Sequence, residues 1–228
     1  MIKFVIERLN SFLHGCNIVD PGQLTLSEST IDNVMFLFWE KGYYDTSISD
    51  LVAATGVNRA RLYKSYGGKQ GLFHVVLQRF RSKVIVDAVA PLSNPARGIE
   101  GLTKFFTQFT QCNTDTVASR GCVMLAVAAS LPQHEPEAVR TMEELIHYLR
   151  SLIYKNIRWQ QTEKKLDATL NAEMTADFLV GSVVGLMTLL RSAEDPHMLE
   201  NHVKSITKYI SSLPVNKAPS QNNLHLIS

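Results

Sequence analysis

Apolar residues recur along this chain at helical spacing, and no segment shows the strict apolar–polar alternation of a half-buried strand. Between Ser27 and Lys41, the residues Ile31, Val34, Met35, Leu37, Phe38 and Trp39 make one apolar stripe, which Gly42 ends. Ser47 and Asp50 have the spacing of a capping box, so a second helix starts at 47 and stops at Gly56. Asn58 caps a third helix, which Gly67-Gly68 breaks. A fourth runs from Lys69 to about Ala90, ahead of Pro91 and Pro95. In the second half, Ile99, Leu102, Phe105, Phe106 and Phe109 form a stripe over 99–112, and 121–131 is short and nearly all apolar. Pro136 opens a long helix to about Trp159, with Met142, Leu145, Ile146, Leu149, Leu152 and Ile153 on its inner side, followed by a polar loop over 160–170. Asn171 caps a helix over 172–191, and a last one covers 198–213. The pattern predicts an all-α protein of nine helices.

Composition narrows the class. Of the 228 residues, 45% are hydrophobic and 19% charged, which excludes a disordered or collagen-like chain. The longest nearly apolar run, Phe178 to Leu190, has thirteen residues; it is too short for a bilayer and suits a buried helix, so no membrane partner is expected. Residues 1–22 do not read as a signal peptide, because Glu7 and Arg8 interrupt Phe4-Val5-Ile6. Cys16, Cys112 and Cys122 are odd in number and widely spaced, which argues against a disulfide framework and for a reducing, cytoplasmic location.

Charge changes the picture more. The net charge is only +2, yet 51–86 contains seven basic residues and no acidic one, while the rest of the chain has 16 basic and 21 acidic residues. An electropositive segment on a slightly acidic body is the footprint of nucleic-acid contact. Inside it, the two short helices around Gly56 are joined by a tight turn, with Leu51, Val52, Val57, Leu62 and Tyr66 as their small core. That leaves Arg59, Ala60, Arg61, Tyr63 and Lys64 on the outer surface of the second, where a helix-turn-helix recognition helix meets base edges. Arginine grips guanine O6 and N7, and Ala60 allows close approach or meets a thymine methyl. Tyr63 and Lys64 are placed for phosphates, and Lys69, opening the next helix, marks a further phosphate position. Ser47 is a cap first and a phosphate contact second.

The block SISDLVAATGVNRARLYKSYGGKQGLF, with Leu37-Phe38-Trp39-Glu40-Lys41-Gly42-Tyr43 and Thr46 before it, resembles the DNA-binding domain of the TetR family of transcriptional repressors. The likeness is dense over 26–80 and looser through Arg120-Gly121-Cys122 and the last two helices. It departs at Leu24-Thr25-Leu26-Ser27-Glu28, where the family often has a basic residue, and at Gln70, where it often has an acidic one. The resemblance implies a homodimer that binds a palindromic double-stranded DNA operator and is released by a small effector held in the C-terminal domain. The corresponding division is an N-terminal extension over 1–22, a three-helix helix-turn-helix domain over 23–83, an effector-binding and dimerisation domain over 84–213, and a tail over 214–228.

Within that frame, Phe105, Phe109, Met124 and Phe178 are candidates to line an effector pocket, although aromatics at helical spacing more often serve as core. Cys122, after Arg120, is either a pocket-lining buried thiol or a sensor of oxidants, and the apolar run Val123 to Ala129 favours burial. Gly181, Gly185, Leu189 and Ile206 mark the expected dimer interface. The motifs HExxH, C-x-x-C, G-x-S-x-G and the P-loop are all missing, so no catalytic residue, metal or cofactor is expected. The competing reading is an interaction protein or all-α enzyme that happens to carry a basic helical segment.

Overall fold

A computed structural model describes residues 25–111, 136–192 and 196–215. Helices α1 (Glu28–Asp45), α2 (Ile48–Thr55), α3 (Arg59–Tyr66) and α4 (Lys69–Arg79) follow one another closely. The rod of α4 continues through a π-helical stretch, Phe80–Ile85, and one last turn, Val86–Val89. After short 3₁₀ turns come α5 (Gly98–Thr107), α6 (Pro136–Thr162), α7 (Ala172–Ser192) and α8 (Pro196–Ser211). Eight of the nine expected helices are therefore present, and the expected helix over 121–131 lies outside the described residues. Among the described residues the sole strand-like feature is an isolated bridge between Leu166 and Val215.

The caps read from the sequence form as expected. Ser47 Oγ accepts from Asp50 N at 3.1 Å while Asp50 Oδ2 accepts from Ser47 N at 2.8 Å. Asn58 Oδ1 accepts from Arg61 N at 2.9 Å. Gly56 takes the left-handed conformation (φ 67°) that turns α2 into α3. Gly42 (φ 83°, ψ 168°) breaks the helical backbone where the reading ends the first helix, and one more turn beyond it reaches Asp45, anchored by Thr46 Oγ1 donating to Gly42 O at 2.6 Å. Two features differ from the reading. The π-helical stretch in α4 was not foreseen, because apolar periodicity does not register a single i→i+5 segment. The long helix α6 reaches Thr162 and shortens the loop expected over 160–170.

Two buried clusters hold the chain together. The first runs from Leu26 through Val34, Phe38, Leu51, Leu62 and Phe73 to Phe80, and it also takes in Met142 and Leu145 of α6. Its aromatic centre is Phe38 edge-on to Phe73 at 5.0 Å and Trp39 edge-on to Phe80 at 5.6 Å. The second joins α5, the far half of α6, α7 and α8 around Phe106, Ile153, Leu179, Leu186 and Ile210. Asn156, fully buried in α6, donates to Leu92 O at 2.9 Å and so pins the turn after α4 to the second cluster. The apolar core is thus continuous across the end of the helix-turn-helix region, because α6 contributes to both clusters.

Counted from Ala172, the apolar part of α7 is 19 residues, long enough by length and composition alone to cross a membrane, which the run from Phe178 does not suggest. Its inner face, Ala176, Leu179, Val180, Val183 and Leu186, is buried in the second cluster. Arg150 of α6 forms a bidentate ion pair with Asp177 of α7.

Candidate nucleic-acid interface and effector cavity

The surface of α3 is built by three local rules: an Asn cap at its start, Leu62 holding it to the core, and left-handed Gly67 (φ 74°) closing it. Leu62 and Ser65 are buried on the inner side, and Arg59, Ala60, Arg61, Tyr63 and Lys64 are all exposed. Among the described residues, neither arginine nor Lys64 has an ion-pair partner, and the first turn of α3 contains no acidic residue. The Arg59 guanidinium lies 5.8 Å from the Tyr63 ring centroid, which aligns the two side chains on one face. Ser47 is exposed at the start of α2, but its hydroxyl is engaged by Asp50 Oδ2 at 2.7 Å. That carboxylate is also paired with Lys41 at 2.7 Å, and hydrogen bonds from Lys41 and Ser47 hold its pKa far below the usual carboxylate value.

Lys69 is placed differently from the outward phosphate position expected of it. Its ammonium lies 4.4 Å from the Tyr43 ring centroid and donates to Tyr44 O at 3.1 Å, so the side chain folds back over the end of α1. The carbonyl of half-exposed Tyr44 is thereby tied to the start of α4, a contact that depends on the break at Gly42 and that sequence spacing does not reveal.

Behind this domain lies a cavity of about 660 Å³, within the size range of drug-like ligand sites. Phe105 and Phe109 line it. Phe178 does not: it is 49% exposed and stacks edge-on against Tyr209 at 4.7 Å. The reason is helical phase. Val180, Val183, Val184 and Met187 of α7 face the cavity, and Phe178 sits about 200° around the helix from Val180. Cys122 and Met124, with the Arg120-Gly121-Cys122 segment, lie outside the described residues. The remaining walls are unexpected. Met35, Phe36 and Trp39 of α1 and Phe80, Val84 and Ile85 of the π-helical stretch close one side. At that edge Asp32 accepts from Arg79 Nε at 2.9 Å and Lys83 Nζ at 3.2 Å, and Glu28 accepts from Arg79 Nη2 at 2.9 Å. The Arg79 hydrogen bond is the main cause holding the Asp32 carboxyl below its ordinary value. No spacing rule finds this clasp, because its partners are 47 and 51 residues apart.

The outer side of α7 and α8 exposes Met174, Phe178 and Met198. Gly181 is on this face, and a Cβ there would meet nothing within 4 Å; at Gly185 it would meet His202 Nε2 at 3.7 Å. Leu189 is partly exposed, whereas Ile206 is 3% exposed and packs inward in the second cluster, so its side chain belongs to the protomer core rather than to this outer face. No group of three metal-binding side chains occurs among the described residues.

Comparison with known proteins bears on both halves. The family model described as bacterial regulatory proteins, tetR family, matches residues 33–76, and that of the tetracyclin repressor-like C-terminal domain matches 98–206. The HTH-type transcriptional repressor ComR of Escherichia coli is 31% identical over 117 residues, covering 51% of this chain and 56% of that protein. The uncharacterized HTH-type transcriptional regulator YezE of Bacillus subtilis is 26% identical over 172 residues, covering 73% of this chain and 87% of that one. Among solved structures, a cysteine mutant of the TetR family regulator CifR, complexed with 26 bp double-strand operator DNA, shares the fold. It matches with a TM-score of 0.70 and 22% identity over 81% of this chain and 97% of its own. With matched models for both the DNA-binding and the C-terminal domain, the chain belongs to the TetR family of bacterial DNA-binding transcription regulators, which are not enzymes.

Proposed function

We propose that this protein is a ligand-responsive transcriptional repressor that works in the cytoplasm as a homodimer on a palindromic operator. The single observation that carries the reading is the unobstructed basic face of α3, where Arg59, Arg61 and Lys64 are exposed with no ion-pair partner among the described residues. In this reading Arg59, Ala60 and Arg61 meet base edges, while Tyr63 and Lys64 meet phosphates. Lys69 acts mainly by bracing the end of α1, and Ser47 by capping α2. The DNA-binding domain covers 23–83, and 84–213 holds the effector and the partner subunit. The exposed face of α7 and α8, with Gly181 and Gly185, packs against its two-fold mate and sets the recognition helices about one DNA turn apart, ~34 Å. An effector in the cavity favours a different spacing and shifts the population off DNA. The alternative of an interaction protein or enzyme does not fit the family, whose members bind DNA through this domain.

The test is a shift assay on DNA flanking the protein's own coding sequence. Arg59→Ala and Arg61→Ala should each cost roughly 1–3 kcal/mol at the operator and relax preference at one base position per half-site. Lys64→Ala should weaken all sequences alike and lower the salt dependence. Full operator affinity in both arginine variants would refute the assignment of α3.

A further inference from the structure

We infer that the ligand of this protein binds between its two halves, in direct contact with α1 of the DNA-binding domain, and that it is a predominantly hydrocarbon molecule without a carboxylate or other acidic group. The inference rests on the repressor reading above and specifies where and what such a repressor senses. Three observations carry the location. The cavity wall includes Met35, Phe36 and Trp39, which belong to the helix that packs against α2 and α4 of the helix-turn-helix region. Phe36 is 43% exposed although it stands in a well-packed helix, so a large apolar side chain faces open cavity space. The opposite wall comes from α5, α6 and α7, so a molecule filling the space touches both halves at once.

The chemistry follows from the polar groups at the wall. Among the described residues, Lys83 is the lone basic residue there, and its ammonium already donates to Asp32. The Gln108 amide donates to the backbone oxygens of Ala88 and Phe105 at 3.3 and 3.2 Å. The Asp32 charge is compensated by Arg79 and Lys83, and Asp87 adds a further carboxylate at the wall. Among the described residues, a ligand carboxylate would therefore enter an apolar space without an uncommitted counter-ion and beside the Asp87 carboxylate, which disfavours it. A hydrocarbon or weakly polar ligand meets Trp39, Phe80, Phe109 and Met142 instead and incurs no such cost.

The chain has two tryptophans, one in the cavity wall and Trp159 half-exposed near the far end of α6. In a Trp159→Phe protein, Trp39 is the sole indole, and bromine quenches indole fluorescence on contact. Titration with 10-bromodecan-1-ol should quench Trp39 saturably, and 10-bromodecanoate at pH 8 should require at least tenfold more. Val184→Phe, which fills the cavity from α7, should weaken the alcohol at least tenfold with an unchanged far-ultraviolet circular dichroism spectrum. Equal quenching by alcohol and carboxylate, or no saturable quenching, overturns the inference. Operator binding is scored separately on the same protein. Loss of quenching with intact operator binding rejects this site alone, whereas quenching without any operator binding rejects the repressor reading.

Discussion

Gly71 occupies the third position of α4, in ordinary helical conformation, and helix propensity alone predicts that Gly71→Ala stabilises by about 1 kcal/mol. Packing predicts the reverse. A Cβ at Gly71 would overlap the carbonyl oxygen of Tyr66 and stand 2.7 Å from its carbonyl carbon, at the end of α3. Carbon–oxygen contacts are comfortable only at about 3.3 Å, so α3 and α4 must separate at this corner. The carbonyl cannot simply turn away. Tyr66 ends α3 just before left-handed Gly67, and its hydroxyl accepts from Leu26 N at 3.0 Å. Overpacking of this kind costs about 1–3 kcal/mol, and a backbone obstacle places the expected loss near the upper end. For a chain of this size, that lowers the melting temperature by roughly 6–12 °C. Because α3 is displaced relative to α4, operator affinity should fall along with stability. Gly56→Ala is the comparison. It has nothing within 4 Å but a φ of +67°, so its cost is the left-handed strain of about 1–2 kcal/mol alone. Thermal unfolding followed at 222 nm, with an operator shift assay on the same samples, reads both effects. A Gly71→Ala protein as stable as the parent would refute the packing argument.

Two further outcomes follow from the geometry. Gly181→Arg, at a position open in the protomer, should leave helicity intact but convert dimers to monomers in sedimentation and abolish operator binding; an unchanged dimer would place the interface elsewhere. Asp32→Asn should lower the urea midpoint at pH 7, because Arg79 and Lys83 depress the Asp32 pKa from its ordinary 3.8. The stabilisation from a depressed carboxylate is present above that value and lost as pH falls through the folded pKa, so parent and variant should converge in acid, and a gap that persists below pH 3 refutes the linkage.

Local chemistry settled much of this protein in advance. Capping side chains sit beside the groups they satisfy, so Ser47, Asp50, Asn58 and Gly56 specify α2, the turn and α3 from within a dozen residues. Burial of Leu51 and Leu62 follows from the same short-range pattern, and with it the outward face bearing Arg59, Arg61 and Lys64. The inner and outer sides of α6 were likewise legible, since each apolar residue there repeats at helical spacing. What the tertiary structure decided is everything that depends on which helix lies against which. The cavity joins α1 and the π-helical stretch after α4 to three helices distant in sequence, and the Asp32, Arg79 and Lys83 clasp closes its edge. Phe178 and Ile206 show the same limit: each is apolar at a helical position, yet one faces outward and the other inward. A periodic stripe gives the faces of a helix but not their neighbours. The neighbours are set by the shape of the whole apolar surface that must be covered at once.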